Sequence, residues 1–81
     1  MARYIVTGFG AESGGSVTAT GILVHGSEMH IFSVWNLSFD PVSTTPVKAQ
    51  IQAGIVDAAN AQLTDYGYNA TLAATDIEYL T

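Results

Sequence analysis

Hydrophobic and polar positions in the first forty residues alternate loosely, interrupted by two glycine-containing breaks. Ser13-Gly14-Gly15-Ser16 carries a Gly-Gly pair of the kind that supplies positive φ in a tight hairpin turn, and Gly26-Ser27 fits a type II′ turn with glycine first. These breaks delimit three strands over residues 3–12, 17–25 and 28–39, joined as an antiparallel meander. The turns also predict the register, because directly opposed residues share a face. One face then carries Ile5, Thr7, Phe9, Ile22, Val24, Met29, Ile31, Trp35, Leu37 and Phe39. The other carries Tyr4, Val6, Val17, Ala19, Leu23, Phe32 and Val34, with His25, Glu28 and His30 at its tip. An antiparallel sheet with one wet face alternates apolar and polar residues. Here both faces keep large hydrophobes, so both are expected to be at least partly covered.

Downstream the period changes from two to 3.6. In Thr44-Thr45-Pro46-Val47-Lys48, Thr45 is placed to cap a helix and Pro46 to be its first residue, where a missing N–H costs nothing. Apolar positions recur at Val47, Ile51, Ile55, Ala58 or Ala59, and Leu63, one face of a helix over residues 46–66. Gly67 is suited to the position after the helix, with Tyr68 folding back on the last turn. The flanks carry Ala49, Gln52, Ala53, Val56, Asn60 and Ala61, small or neutral residues where a solvated helix has Lys and Glu. Gly54 in mid-helix costs about 1 kcal/mol relative to alanine, which a close backbone approach would offset. The segment 70–80 alternates as a fourth strand whose acids, Asp76 and Glu78, suit a sheet edge. The expected fold is a single α+β domain over residues 1–81, an antiparallel three- to four-stranded sheet with one helix packed on it, in the order β-β-β-α-β.

Size and composition point to association. A domain of 81 residues buries only roughly 60–65 % of its unfolded surface. Small domains make up the shortfall with disulfides, metals or oligomerisation. The chain has no cysteine, which removes disulfides and thiolate metal sites. It is 48 % hydrophobic and 11 % charged, against roughly 25 % charged in average soluble domains. A homo-oligomer or larger protein assembly is therefore expected, since excess apolar surface marks an interaction face. Met29, Ile31, Trp35, Phe39, Ile51 and Ile55 are the expected core or interface anchors. The net charge is −5, with Arg3 and Lys48 as the two cations. A basic face for phosphates cannot be built from two separated cations, so neither nucleic acid nor an anionic membrane is an expected partner. The N-terminus runs directly into a strand pattern without the apolar core of a signal peptide, and no apolar run matches a bilayer span. The expected location is the cytoplasm or a particle assembled there.

The densest chemistry lies in His25-Gly26-Ser27-Glu28-Met29-His30. Across the expected turn His25 faces Glu28, His30 lies two residues further on the same face, and Tyr4 falls opposite His25. Two histidines and a carboxylate form a legitimate ligand set for Zn²⁺ or Fe²⁺. The spacing matches no established metal motif, so His25, Glu28 and His30 remain weak candidates and no metal is assigned. A solvated or subunit-contacting hairpin tip explains them more simply, and a pH-sensitive contact is a further option for two histidines. The run Gly8-Phe9-Gly10 through Gly15 lacks the lysine and following helix of a phosphate loop. No serine lies in a nucleophile elbow, and no carboxylate pair has a concave setting. An enzyme is not expected, nor is a cofactor.

The β-rich front followed by PVKAQIQAGIVDAANAQLTDYGYNATLAATDIEYL resembles small bacteriophage structural or head-decoration proteins. That resemblance implies a non-enzymatic virion component present in many copies; it carries over no functional residue. The alternative is a small acidic regulatory or inhibitor protein that presents Glu12, Glu28, Asp76 and Glu78 to a basic surface of a partner protein.

Overall fold

A computed structural model describes residues 1–10 and 15–80. Glu12 and the Ser13-Gly14 half of the expected turn lie outside the described residues. The chain runs β1 (Ala2–Phe9), β2 (Ser16–His25), β3 (Glu28–Ile31), β4 (Val34–Ser38), α1 (Val47–Asp65), a 3-10 turn (Ala74–Asp76) and β5 (Ile77–Tyr79). It is an α+β fold with α1 packed on one side of a five-stranded sheet.

The sheet differs from the expected one in two respects. The third expected strand is split, and both pieces, β3 and β4, pair antiparallel with β2. The last strand, only Ile77–Tyr79, pairs parallel with β1, with Tyr4 beside Ile77 and Val6 beside Tyr79. The helix crossover returns the chain to the open side of β1 in the same direction as that strand, so the sheet is mixed.

Two irregularities decide which side chains face the helix. In β1 the pairing is Tyr4 with Leu23 and Val6 with Gly21, then Gly8 with Thr20 and Phe9 with Ala19, which leaves Thr7 as an inserted residue. Thr7 turns outward and its hydroxyl donates to the Thr20 carbonyl at 3.2 Å. Because a one-residue slip reverses every later side chain, Phe9 leaves the face of Ile5 and joins that of Ala19. In β4 the pairing passes from Val17 with Leu37 to Ala19 with Val34, and Asn36 adopts φ 56°. Val34 and Leu37 thus both point inward, and Leu37 is buried. Phe39 also packs against the core from this side. The expected faces placed Phe9, Leu37 and Phe39 with Ile31; the bulges move all three to the helix side.

The core is built from Tyr4, Val6, Ala19 and Leu23 of the sheet, Ile55, Ala59 and Leu63 of α1, and Leu72 and Ile77. Gly21 makes the largest of these residues possible. A Cβ at position 21 would lie 2.6 Å from the Tyr4 ring and also collide with the Ile5 carbonyl, so the ring of Tyr4 lies over bare backbone. From there its hydroxyl donates to the Phe32 carbonyl at 2.6 Å, and the ring meets Phe32 edge-on at 6.1 Å. That contact falls at the break between β3 and β4. Gly54 has a similar reason to lack a side chain, since its Cβ would lie 2.7 Å from a Leu37 methyl. The close approach expected of this glycine is to the chain's own sheet.

The helix starts one residue later than the capping pattern predicts. Pro46 itself is the N-cap, with ψ 143° and no side-chain cap bond. Thr45 is occupied elsewhere: its N–H donates to Ser43 Oγ, and its carbonyl accepts from Gln50 Nε2 at 2.8 Å. Gln50 also bonds both the N–H and the carbonyl of Asp40, tying the preceding loop to the first helical turn. At the other end Gly67 takes φ 83°. The Gly67 and Tyr68 N–H groups donate to the Thr64 and Leu63 carbonyls at 2.9 and 3.0 Å, a Schellman stop that brings Tyr68 back onto the last turn as the sequence predicts. Two neutral flank residues serve the chain itself. Asn60 bonds both the N–H and the carbonyl of Leu72 at 2.8 and 3.1 Å, and Gln52 donates to the Ala74 carbonyl.

Candidate functional site

The helix leaves one face of the sheet uncovered, and that face is the principal candidate. Across the strands it carries Ile5, Ile22 and Ile31 in one row and Arg3, Val24 and Met29 in the next. Ile31 is 90 % exposed, Trp35 73 % and Met29 65 %. Trp35 is pushed out by the same β4 bulge that turns Leu37 inward. The charges described on this face are Arg3 and Glu78, which pair at 3.5 Å near the β5 edge. Of the six anchors expected from sequence, Ile55 is fully buried, and Ile51 and Phe39 are partly buried against the core. Met29, Ile31 and Trp35 lie on the open face, outside the core.

The hairpin tip is organised differently from the expected ligand set. The two-residue turn is present, with Gly26 at φ 60° and His25 paired with Glu28. Tyr4, however, pairs with Leu23, and Ala2 is the residue opposite His25, a shift of two positions of which the Thr7 bulge supplies one. The histidines meet the tyrosines that follow α1. His25 stacks on Tyr68 at 4.3 Å between ring centroids, and His30 stacks on Tyr66 at 4.2 Å. His30 Nε2 and the Tyr68 hydroxyl share a hydrogen bond of 2.9 Å. Glu28 is exposed at the turn, and among the described residues no three His, Asp or Glu side chains gather around a common point. The arrangement clamps the helix C-terminus to the hairpin through stacked rings. Sequence reading placed Tyr68 on the last helical turn but gave no sign that its ring reaches the histidines, which requires knowing where the helix crosses the sheet.

A second concave feature went unnoticed in the sequence. At the N-terminal end of α1 a cleft of about 700 Å³ is lined among others by Phe9, Val17, Phe39, Val47, Lys48 and Tyr79. Lys48 Nζ lies 5.5 Å from the Tyr79 ring centroid. The Tyr79 hydroxyl is buried without a hydrogen-bond partner, and burial raises its pKa. Phe9 and Phe39 reach this cleft only because of the bulges, which is why the strand pattern did not reveal it.

The described carboxylates of the acidic alternative, Glu28, Asp76 and Glu78, are dispersed. Asp76 accepts the Ala73 N–H at 2.8 Å within the 3-10 turn, Glu78 pairs with Arg3, and Glu28 lies at the hairpin tip. No helix among the described residues is long and apolar enough to cross a membrane. The fold and surface thus define a small α+β domain with one uncovered apolar sheet face. Compared with known protein families, with curated proteins and with solved structures, the chain gives no match.

Proposed function

We propose that this chain is a non-enzymatic structural protein that works by homo-oligomeric assembly through the open sheet face, and that its setting is a bacteriophage particle. The carrying observation is the exposure of Ile31, Trp35 and Met29 together on one face, since scattered single hydrophobes are ordinary but a contiguous group marks an interaction surface. Its electrostatics suit a second copy. The chain carries a net charge of −5, yet the described part of this face holds one cation and one anion already paired. Two such faces can meet without the like-charge repulsion that the rest of the surface would impose. Size is adequate: eight residues of β1 at about 3.4 Å and four strand positions at about 4.8 Å give on the order of 500 Å² in projection per copy. Two copies approach the roughly 1,000 Å² that a specific interface needs. The dispersal of Glu28, Asp76 and Glu78, two of them bonded within the chain, favours assembly over an acidic inhibitor. The virion setting rests on the sequence resemblance alone.

Sedimentation of the wild type beside an Ile31→Lys/Trp35→Lys variant tests this reading. The wild type should self-associate from the micromolar range upward, and the variant should remain monomeric with an unchanged melting temperature for its monomer. A wild type that stays monomeric to millimolar concentration overturns the proposal.

A further inference from the structure

We propose that the cleft at the N-terminal end of α1 binds a small amphiphilic anion, an aliphatic or aromatic carboxylate whose apolar body lies in the cleft and whose charge meets Lys48. Three independent observations converge there. The cleft measures about 700 Å³, within the roughly 300–1,000 Å³ of small-molecule sites, and its wall of Phe9, Val17, Phe39 and Val47 is of the apolar kind those sites present.

The charge is specific. Of the two cations in the chain, Arg3 is paired with Glu78 on the other side of the sheet, whereas Lys48 lines the cleft. Among the described residues no carboxylate forms an ion pair with Lys48; its ammonium is held over the Tyr79 ring instead. Of the two acids adjacent in sequence to lining residues, Asp40 accepts the Val42 N–H at 3.1 Å and Glu78 pairs with Arg3. A cation at the rim of an apolar cleft in an acidic chain attracts an anion there, with the modest strength of a partly solvated pair.

Hydrogen-bonding capacity is left over in the same place. Val47 and Lys48, both lining residues, form the first turn of α1, which has no side-chain cap and no acidic residue. The first turn therefore brings no negative charge of its own to the positive end of the helix dipole. A carboxylate at the cleft mouth supplies acceptors for the free N–H groups of that turn. This inference does not depend on the assembly reading, because the cleft lies on the helix side of the sheet and the open face on the other.

The test is a titration of the full chain with decanoate, 1-decanol and decyltrimethylammonium, followed by amide and methyl chemical shifts, on wild type, Lys48→Gln and Lys48→Arg. Lys48 is exposed, so these variants should keep a dispersed spectrum. Decanoate should give saturable shifts centred on Phe9, Val17, Phe39 and Ile51 and bind about tenfold more tightly than the ammonium ligand. Lys48→Gln should weaken decanoate about fivefold, the scale of one partly solvated ion pair, and Lys48→Arg should restore it. No saturable shift, equal affinity for decanoate and decanol, an unchanged affinity in Lys48→Gln, or shifts confined to Met29, Ile31 and Trp35 would each overturn the proposal.

Discussion

Replacing Gly21 with alanine tests the geometry on which the core depends. The new methyl would lie 2.6 Å from the Tyr4 ring and closer still to the Ile5 carbonyl, whereas ordinary carbon contacts begin near 3.4 Å. Tyr4 is fully buried and can retreat only by giving up its 2.6 Å bond to the Phe32 carbonyl. Overpacking of this kind costs about 1–3 kcal/mol, and leaving a partly buried carbonyl without its donor about 1–3 kcal/mol more. The entropy advantage of alanine over glycine in a strand returns only about 0.5–1 kcal/mol. The net loss is then about 1–5.5 kcal/mol, set against the roughly 4–12 kcal/mol expected for a domain of this length. At about 4–8 °C per kcal/mol, calorimetry should show a fall in Tm of at least about 4 °C. Gly67→Ala is the control, because its position has open space and only φ 83° to satisfy; it should cost about 1 kcal/mol. The double variant Gly21→Ala/Tyr4→Phe should be less destabilised than the two singles predict, since the bond to Phe32 can be lost only once. A Tm for Gly21→Ala within about 3 °C of wild type, or strict additivity with Tyr4→Phe, would refute the account of why position 21 is glycine.

Burial pushes the Tyr4 phenol up to about 12 from 10.0. The folded state therefore holds this proton more tightly than the unfolded state, so its contribution is complete below pH 10 and is lost as pH rises through 12. Alkaline unfolding curves should show about 2–3 kcal/mol of lost stability across that window, and Tyr4→Phe should remove most of the slope; the smaller upward shift of Tyr79 acts in the same direction. Asn60→Ala removes both bonds to Leu72 and should cost about 1–2 kcal/mol, with faster hydrogen exchange at residues 72–80 as the local signature; unchanged exchange there would count against the tether. Tyr68→Phe deletes the bond to His30 but keeps the stack on His25. It should lower stability by about 0.5–1.5 kcal/mol in chemical denaturation, and a loss near zero would show that stacking alone holds the clamp.

Local physics made several elements legible from the residues alone. The 3.6 period of Ile51, Ile55, Ala59 and Leu63 fixes a helix and its buried face, and Gly67 with Tyr68 fixes its stop, because both depend on neighbours within a turn. Gly26-Ser27 fixes the hairpin for the same reason. The candidate sites were less legible. His25 and His30 were singled out, but their partners Tyr66 and Tyr68 are about forty residues away, and only the path of the helix across the sheet joins them. The Lys48 cleft was invisible because its walls come from β1, β2, β5, the segment after β4 and the helix.

What the sequence determined by itself, then, was the α+β composition of elements and the shortage of charge on an 81-residue chain, from which an interaction face follows as an expectation, with core and interface anchors named together but not told apart. Only the tertiary structure decided the faces. Inserted residues at Thr7 and Asn36 cost little locally and leave no periodic mark, yet each reverses the side chains beyond it. They send Phe9, Leu37 and Phe39 to the helix side and leave Ile31 and Trp35 in the open. The parallel pairing of β5 is equally non-local, since a three-residue strand carries too little pattern to choose its neighbour. The helix crossover chooses for it, delivering Ile77 beside Tyr4 where the core has room.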